Sequence, residues 1–256
     1  MKTLFLAWQD KHRTATAHAA SRAWFTIGRL EAEPVEERYR FAYTHGALAA
    51  QRQAGFQPLA AFPRFDQIYE SAELFPPFQN RLVNPRREDF AEYIRRLGLD
   101  PGAPDPLEVL AITGGERQTD NLEVFPKILK RRDGSFVCKF FLHGGRHVNV
   151  TAQDRLARLR PGDRLQVALE LNNPVAGPAI QLETTSDYFM VGWAPRYLVR
   201  DMLDAIAESP ADLTARVVRV NPPPAPHNQR LLVELEGRFR AGFSPMESEE
   251  FRPIVA

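Results

Sequence analysis

The chain has 256 residues, apolar and charged fractions of 44% and 25% that suit a soluble globular protein, and a formal net charge of +1. That length can bury a sizeable core and allows two modest domains, while near-neutrality excludes an all-over basic coat for nucleic acid, so any such site has to be a local patch. The lone Cys138 excludes an intrachain disulfide and any multi-cysteine zinc site. No run approaches a membrane span, and MKTLFLAWQDKH turns polar too soon for a signal peptide, so a cytoplasmic protein is expected.

Lys2 to Trp8, Ala23 to Leu30 and Arg38 to Thr44 read as strands, and Ala47 to Gln53 as a brief helix ended by Gly55. An extended, Pro-bounded stretch, Phe56 to Pro63, leads to Tyr69–Leu82. The order W-x-x-I-G-x-L, Y-R-F-x-Y, P-L-x-x-F-P and L-F-P-P-F-x-N-R-L, between Leu4 and Leu82, resembles the small N-terminal subdomain of HipA-type kinases. The resemblance implies a fold element and a docking role for a protein partner. It implies no kinase activity, because nothing in the chain matches a Gly-rich phosphate loop, an HRD-like catalytic loop or a paired Asp/Asn metal site.

Arg87 to Leu97 and Leu107 to Ile112 are expected helices, and Thr113–Gln118 is a loop taken as the boundary between domains 1–115 and 116–256. Leu122 to Ile128 and Phe136 to His143 are expected strands joined by a basic turn in which Asp133-Gly134 is a hairpin signal. A short helix around Gln153 to Leu159 follows. Leu165, Val167, Leu169 and Leu171 then alternate as a half-buried strand does, and Asn172-Asn173-Pro174 stops it. Ile180 to Thr184 and Tyr188 to Trp193 are the next strands, and Ala194-Pro195 opens a helix whose apolar face is Leu198, Val199, Met202, Leu203 and Ile206. Leu213 to Val220 and Leu231 to Leu235 supply two more strands around a Pro-rich loop, Asn221 to His227. The acidic tail from Pro245 is expected to be mobile.

Gly162-Asp163-x-Leu165, Glu170-x-Asn172-Asn173-Pro174, Ala179-Ile180 and Val191-Gly192-Trp193-Ala194-Pro195-Arg196-Tyr197-Leu198 together resemble the HIRAN domain, a small β-barrel module. The fold class expected is therefore α+β: a small α+β N-terminal domain followed by a HIRAN-like, OB/SH3-like β-barrel with one packed helix. HIRAN domains occur alone in bacteria and attached to DNA-remodelling ATPases, and a eukaryotic member captures single-stranded DNA ends carrying a free 3′-hydroxyl. The resemblance implies that a basic cluster after the first barrel strand lines the DNA groove. Arg146 stands at that position, with His147 where others often carry an aromatic. End-binding members tend to read N-P-Y-D-x-N-A at the turn; here Val175 replaces the aromatic, Ala176 the carboxylate and Pro178 the second Asn, which removes the acceptor for a 3′-hydroxyl.

The residues themselves support a local patch. From Lys127 to Arg164 ten basic residues face three acidic ones, a formal balance of +7, enough for salt-sensitive phosphate binding; the same charges also suit a solvated surface balanced from elsewhere. Asn172 and Asn173 are polar contacts or plain turn formers. Trp193 and Tyr197 are stacking aromatics or packing across the strand–helix joint. Arg196 and Arg200 sit on the first helical turns, where a phosphate could be received.

Enzymatic readings find little support. His12, His18, His45, His143, His147 and His227 form no metal-ligand pattern, and Cys138 sits in an apolar strand as a buried, inert thiol. The expectation is non-enzymatic binding of single-stranded DNA or DNA ends through Arg146, His147, Asn172, Asn173, Trp193, Arg196, Tyr197 and Arg200, without metal or cofactor. The alternative is a protein-interaction module whose N-terminal domain docks a HipA-like kinase or other partner and whose barrel has lost DNA affinity.

Overall fold

The computed structural model describes residues 1–10, 23–117 and 119–255. His12, His18 and Gln118 lie outside the described residues. The chain is α+β, and it divides into two compact units. The first comprises Met1–Phe90, Ala103–Lys127 and Met246–Ala256, and the second Ala91–Gly102 and Ile128–Pro245.

In the first unit, β1 (Lys2–Gln9), β2 (Trp24–Glu33), β3 (Arg38–Tyr43), β4 (Ile68–Ser71) and β5 (Leu122–Pro126) form an antiparallel sheet in the order β4-β3-β2-β1-β5. Leu4, Leu30, Phe41 and Tyr69 are direct cross-strand partners in one row. That row lies on the core, with Phe62, Phe75, Phe78, Leu107 and Leu110 packed against it. Tyr43 fixes the Phe56–Pro63 stretch, donating its hydroxyl to Phe62 O (2.8 Å) and accepting from Leu59 N (2.7 Å). Burial pushes its phenol up to about 12.

The helices follow their local signals. α1 (His45–Ala54) ends on Gly55 in the left-handed region, and α4 (Pro106–Thr113) starts under Asp105, whose carboxylate accepts from Leu107 N at 2.8 Å. Between them lie α2 (Pro76–Gln79) and α3 (Phe90–Arg96). The second unit takes most of α3, because Ile94 and Leu97 are fully buried and Asn221 Nδ2 donates to Arg96 O at 2.9 Å.

The expected boundary at 115/116 differs from this division. β5 pairs with β1, Phe125 opposite Phe5 and Val124 opposite Leu6, and both β5 residues are fully buried. The loop taken as a linker is tied down by the buried Arg81, which donates to Gly115 O (2.6 Å) and pairs with Asp120 (2.6 Å). The expected hairpin across Asp133-Gly134 is also corrected. The turn itself forms, with Gly134 at φ +86 and Gly134 N donating to Arg131 O at 3.0 Å. Its flanking strands nonetheless pair elsewhere, β5 with β1 and β6 (Ser135–Phe141) with β11 (Leu231–Arg238).

The acidic tail is not loose. His45 N donates to Arg252 O and Ile254 N to Tyr43 O, both at 2.9 Å. Phe251 is buried edge-on against Phe5, ring centroids 4.9 Å apart, on the sheet face opposite the main core.

The second unit holds β6, α5 (Val150–Ala157), β7 (Arg164–Asn173), β8 (Gly177–Thr184), β9 (Met190–Trp193), α6 (Val199–Glu208), β10 (Thr214–Val220) and β11. The sheet order is β6-β11-β10-β7-β8-β9, all antiparallel. His143, just beyond β6, bridges to Trp193 on β9, so the two outer strands meet and the sheet closes into a six-stranded barrel. Closure is uneven: the β7–β10 ladder holds only at Arg164 and Leu165. Leu235, Ala215, Leu165 and Thr184 form one buried cross-strand row.

α5 starts three residues earlier than expected because Asn149 caps it, accepting from Ala152 N at 2.8 Å. β9 starts two residues late, at Met190, because Tyr188 takes a left-handed conformation. A 3-10 turn, Arg196–Leu198, precedes α6, which buries Met202 and Ala205 together with Asp201.

Removing the ring at Phe251→Ala is expected to destabilise the first unit by about 3–5 kcal/mol, as aromatic truncations in a core do. Urea denaturation with the m-value compared between the two proteins checks this, and an unchanged midpoint would show that the tail does not brace the sheet.

Candidate nucleic-acid interface

The barrel seam gathers most of the expected residues. Gly144 lies at φ +72, and a Cβ there would sit 2.3 Å from the Trp193 ring; a Cβ on Gly192, at φ +151, would sit 2.5 Å from His143 O. Only glycine lets these backbones approach. His143 N and Trp193 O, and Trp193 N and His143 O, then bond at 2.9 Å each. The indole is laid on the Gly144 backbone and half-buried.

Its edge is held by a carboxylate. Trp193 Nε1 donates to Glu170 Oε2 at 2.7 Å, and Asn173 Nδ2 donates to the same oxygen at 3.0 Å. Asn173 Oδ1 accepts from Val175 N and Ala176 N, both 3.0 Å, which builds the β7–β8 turn. Burial pushes the Glu170 carboxyl up, but the hydrogen bonds from Asn173, Trp193 and Gln181 outweigh it and hold the group below its usual range. Arg196 Nη2 donates to Val175 O at 3.4 Å, so the start of the α6 segment also reaches the turn.

Arg146 and His147 follow Gly144 in a 3-10 turn, Gly145–His147, and both are exposed. Arg146 Nε donates to His147 Nε2 at 3.0 Å. Trp193, Arg196, Arg146 and His147 are thus tied to one seam. Asn172 and Arg200 are exposed. Asn173 is spent on the turn and on Glu170. Tyr197, 8% exposed, packs at the strand–helix joint and leaves the set of stacking aromatics.

Glu170 is not among the expected site residues, and it is placed in the site by its contacts with Trp193 and Asn173. It changes the electrostatics, because it places a negative charge at the indole edge.

Much of the basic segment is spent on ion pairs. Lys127 pairs with Glu247, Lys139 with the nearly buried Glu234 (3.4 Å), and Arg155 with Asp187 (2.8 Å). Lys130 donates to the carbonyls of Arg240 and Phe243. Burial raises Glu234, but Arg216 and Lys139 together hold it below the carboxylate range. Arg131, Arg132, Arg146, Arg158, Arg160 and Arg164 remain exposed. Cys138 is half-buried, and burial of the thiol, with the charge of Asp201, pushes it up to about 12.

No family model matches the chain, and no curated protein matches it. A crystal structure of a protein from Lactobacillus plantarum aligns over 42% of this chain and 100% of its own, at 19% identity and a TM-score of 0.31.

Two outcomes are expected here. The Glu170 carboxyl titrates below its ordinary value of 4.5, so its stabilising effect is complete above that value and is lost as pH falls through the lower folded value. The stability gap between wild type and Glu170→Gln, read by urea midpoints, should therefore narrow only once the pH falls below the ordinary value of 4.5; a gap constant with pH would mean that the charge has no role. Cys138, whose thiol is held well above its usual value by burial, should resist iodoacetamide in the native protein and react promptly in denaturant.

Proposed function

We propose that the chain is a non-enzymatic DNA-binding protein whose HIRAN-like barrel holds single-stranded DNA or DNA ends at the β6–β9 seam. The observation that carries this reading is Trp193, fixed from below by Gly144 and at its edge by Glu170, with Arg146, His147 and Arg196 on the same seam. A fixed aromatic with guanidinium groups on the same seam suits stacking plus phosphate neutralisation, which reads no sequence. Stacking on such a ring is worth about 1–3 kcal/mol per base. With Ala176 standing where the resemblance expects the acceptor of a 3′-hydroxyl, binding follows the strand more than its end.

A second reading is favoured by a different feature. On the far half of β7, past the last pairing with β10, Leu169 and Leu171 are exposed, the latter at 63%, and Val175 at the turn is 43% exposed. An apolar strand edge of this kind suits a protein partner that adds a strand.

Fluorescence anisotropy of labelled single-stranded, blunt and 3′-overhang oligonucleotides across a salt series separates the two. Single strands should bind with a log–log salt slope of about −0.7 per phosphate, and Arg146→Ala with Arg196→Ala should flatten it by about 1.4. Absence of binding at low salt, or a double variant that behaves as wild type, overturns the DNA reading and leaves the protein-partner reading.

A further inference from the structure

Tyr188 is a large aromatic that the fold does not use. It closes the β8–β9 turn at φ +55 and is 66% exposed. A bulky side chain in the left-handed region costs backbone energy that Gly or Asn would largely avoid. The surrounding turn is nevertheless held firmly. Thr184, itself buried, donates its backbone N–H to Phe189 O at 3.0 Å and accepts at its carbonyl from Tyr188 N at 3.2 Å. Its hydroxyl accepts from Phe189 N at 2.9 Å and donates to Asp187. Arg155 Nε donates to the other Asp187 oxygen at 2.8 Å. A costly conformation maintained by its surroundings points to use outside the fold.

The position of the turn says what use. Tyr188 precedes β9 and Trp193 ends it, so five residues of chain hold their backbones within about 17 Å. A single strand kept at the stacked rise of about 3.4 Å per nucleotide covers that distance with at most about five nucleotides. The helix α5, which packs on β9, begins just after Arg146 and His147 and delivers Arg155 to the Tyr188 turn. The exposed Arg158 follows in sequence. Aromatic and cationic side chains thus mark both ends of β9.

We propose that Tyr188 is a second base-stacking platform for the same single strand whose base stacks on Trp193, so that the strand spans the two ends of β9. This rests on the DNA reading above. The partner is a nucleobase from any sequence, since every base offers a π-face.

The test uses the full chain and oligo-dT from three to twelve nucleotides, with wild type, Tyr188→Ala, Tyr188→Phe and Tyr188→Gly. Tyr188→Ala should weaken binding of oligomers longer than about five nucleotides by about 5- to 100-fold and leave trinucleotides unchanged. Tyr188→Phe should retain wild-type affinity. Tyr188→Gly should melt higher than Tyr188→Ala while binding as poorly, which separates stacking from folding. Irradiated oligonucleotides carrying 5-iododeoxyuridine should crosslink to the peptide containing Tyr188. If wild type binds but Tyr188→Ala matches it at every length, the inference fails and the DNA reading survives. If wild type binds no oligonucleotide, both fall.

Discussion

The pair of backbone hydrogen bonds between His143 and Trp193 is the contact on which the second unit turns. Without it the six-stranded sheet would end in two open edges, β6 and β9, each with unpaired donors and acceptors. With it the sheet closes, the interior row of Leu235, Ala215, Leu165 and Thr184 is enclosed, and the chain leaving β9 is aimed into α6. The bonds need two backbones to approach more closely than side chains allow, and Gly144 and Gly192 provide that approach. The indole laid on Gly144 is therefore part of the closure as well as the centre of the candidate interface.

Glu170 links that seam to the β7–β8 turn. It accepts from Trp193 and Asn173, and Asn173 in turn shapes the backbone at Val175 and Ala176. A buried-edge carboxylate among neutral donors keeps its charge because hydrogen bonding to the ionised form outweighs desolvation. The seam therefore carries a carboxylate as well as Arg146 and Arg196, and is mixed in charge rather than uniformly basic. The same economy governs the rest of the segment from Lys127 to Arg164, where Glu247, Glu234 and Asp187 each neutralise one cation. The local excess read along the chain is thus larger than the excess displayed on the surface.

The residues of the candidate interface that the sequence points to are close to one another in the chain or carry short-range chemistry. Arg146 and His147 follow Gly144-Gly145, and Trp193 follows Gly192, whereas the close approach that these glycines allow is visible only in the structure. Asn173 before Pro174 declares a turn. Tyr197 reads as either a stacking aromatic or packing at the strand–helix joint, and its burial settles it as packing, since helical spacing alone does not say which flank of the joint faces the core. Glu170 stands in the sequence only as part of the motif before the turn, and its bond to Trp193, twenty-three residues away, arises because β7 and β9 both flank β8. Leu169 and Leu171 continue the apolar alternation of Leu165 and Val167, yet they extend past the end of the β10 ladder and are exposed.

The amino-acid sequence by itself determined the local events: Asp105 capping α4, Gly55 ending α1, the Asp133-Gly134 turn, the strand–turn–strand–turn–strand order from Arg164 to Trp193. Each depends on backbone preferences and hydrogen bonds within a few residues, which residue type alone largely sets. Tertiary structure decided which strands meet. β5 joined β1 instead of β6, and the acidic tail folded back so that Phe251 covers Phe5. An apolar strand can satisfy its ladder against many partners, and the choice is made by which pairing buries the most surface across the whole chain, a quantity that no short stretch of sequence contains.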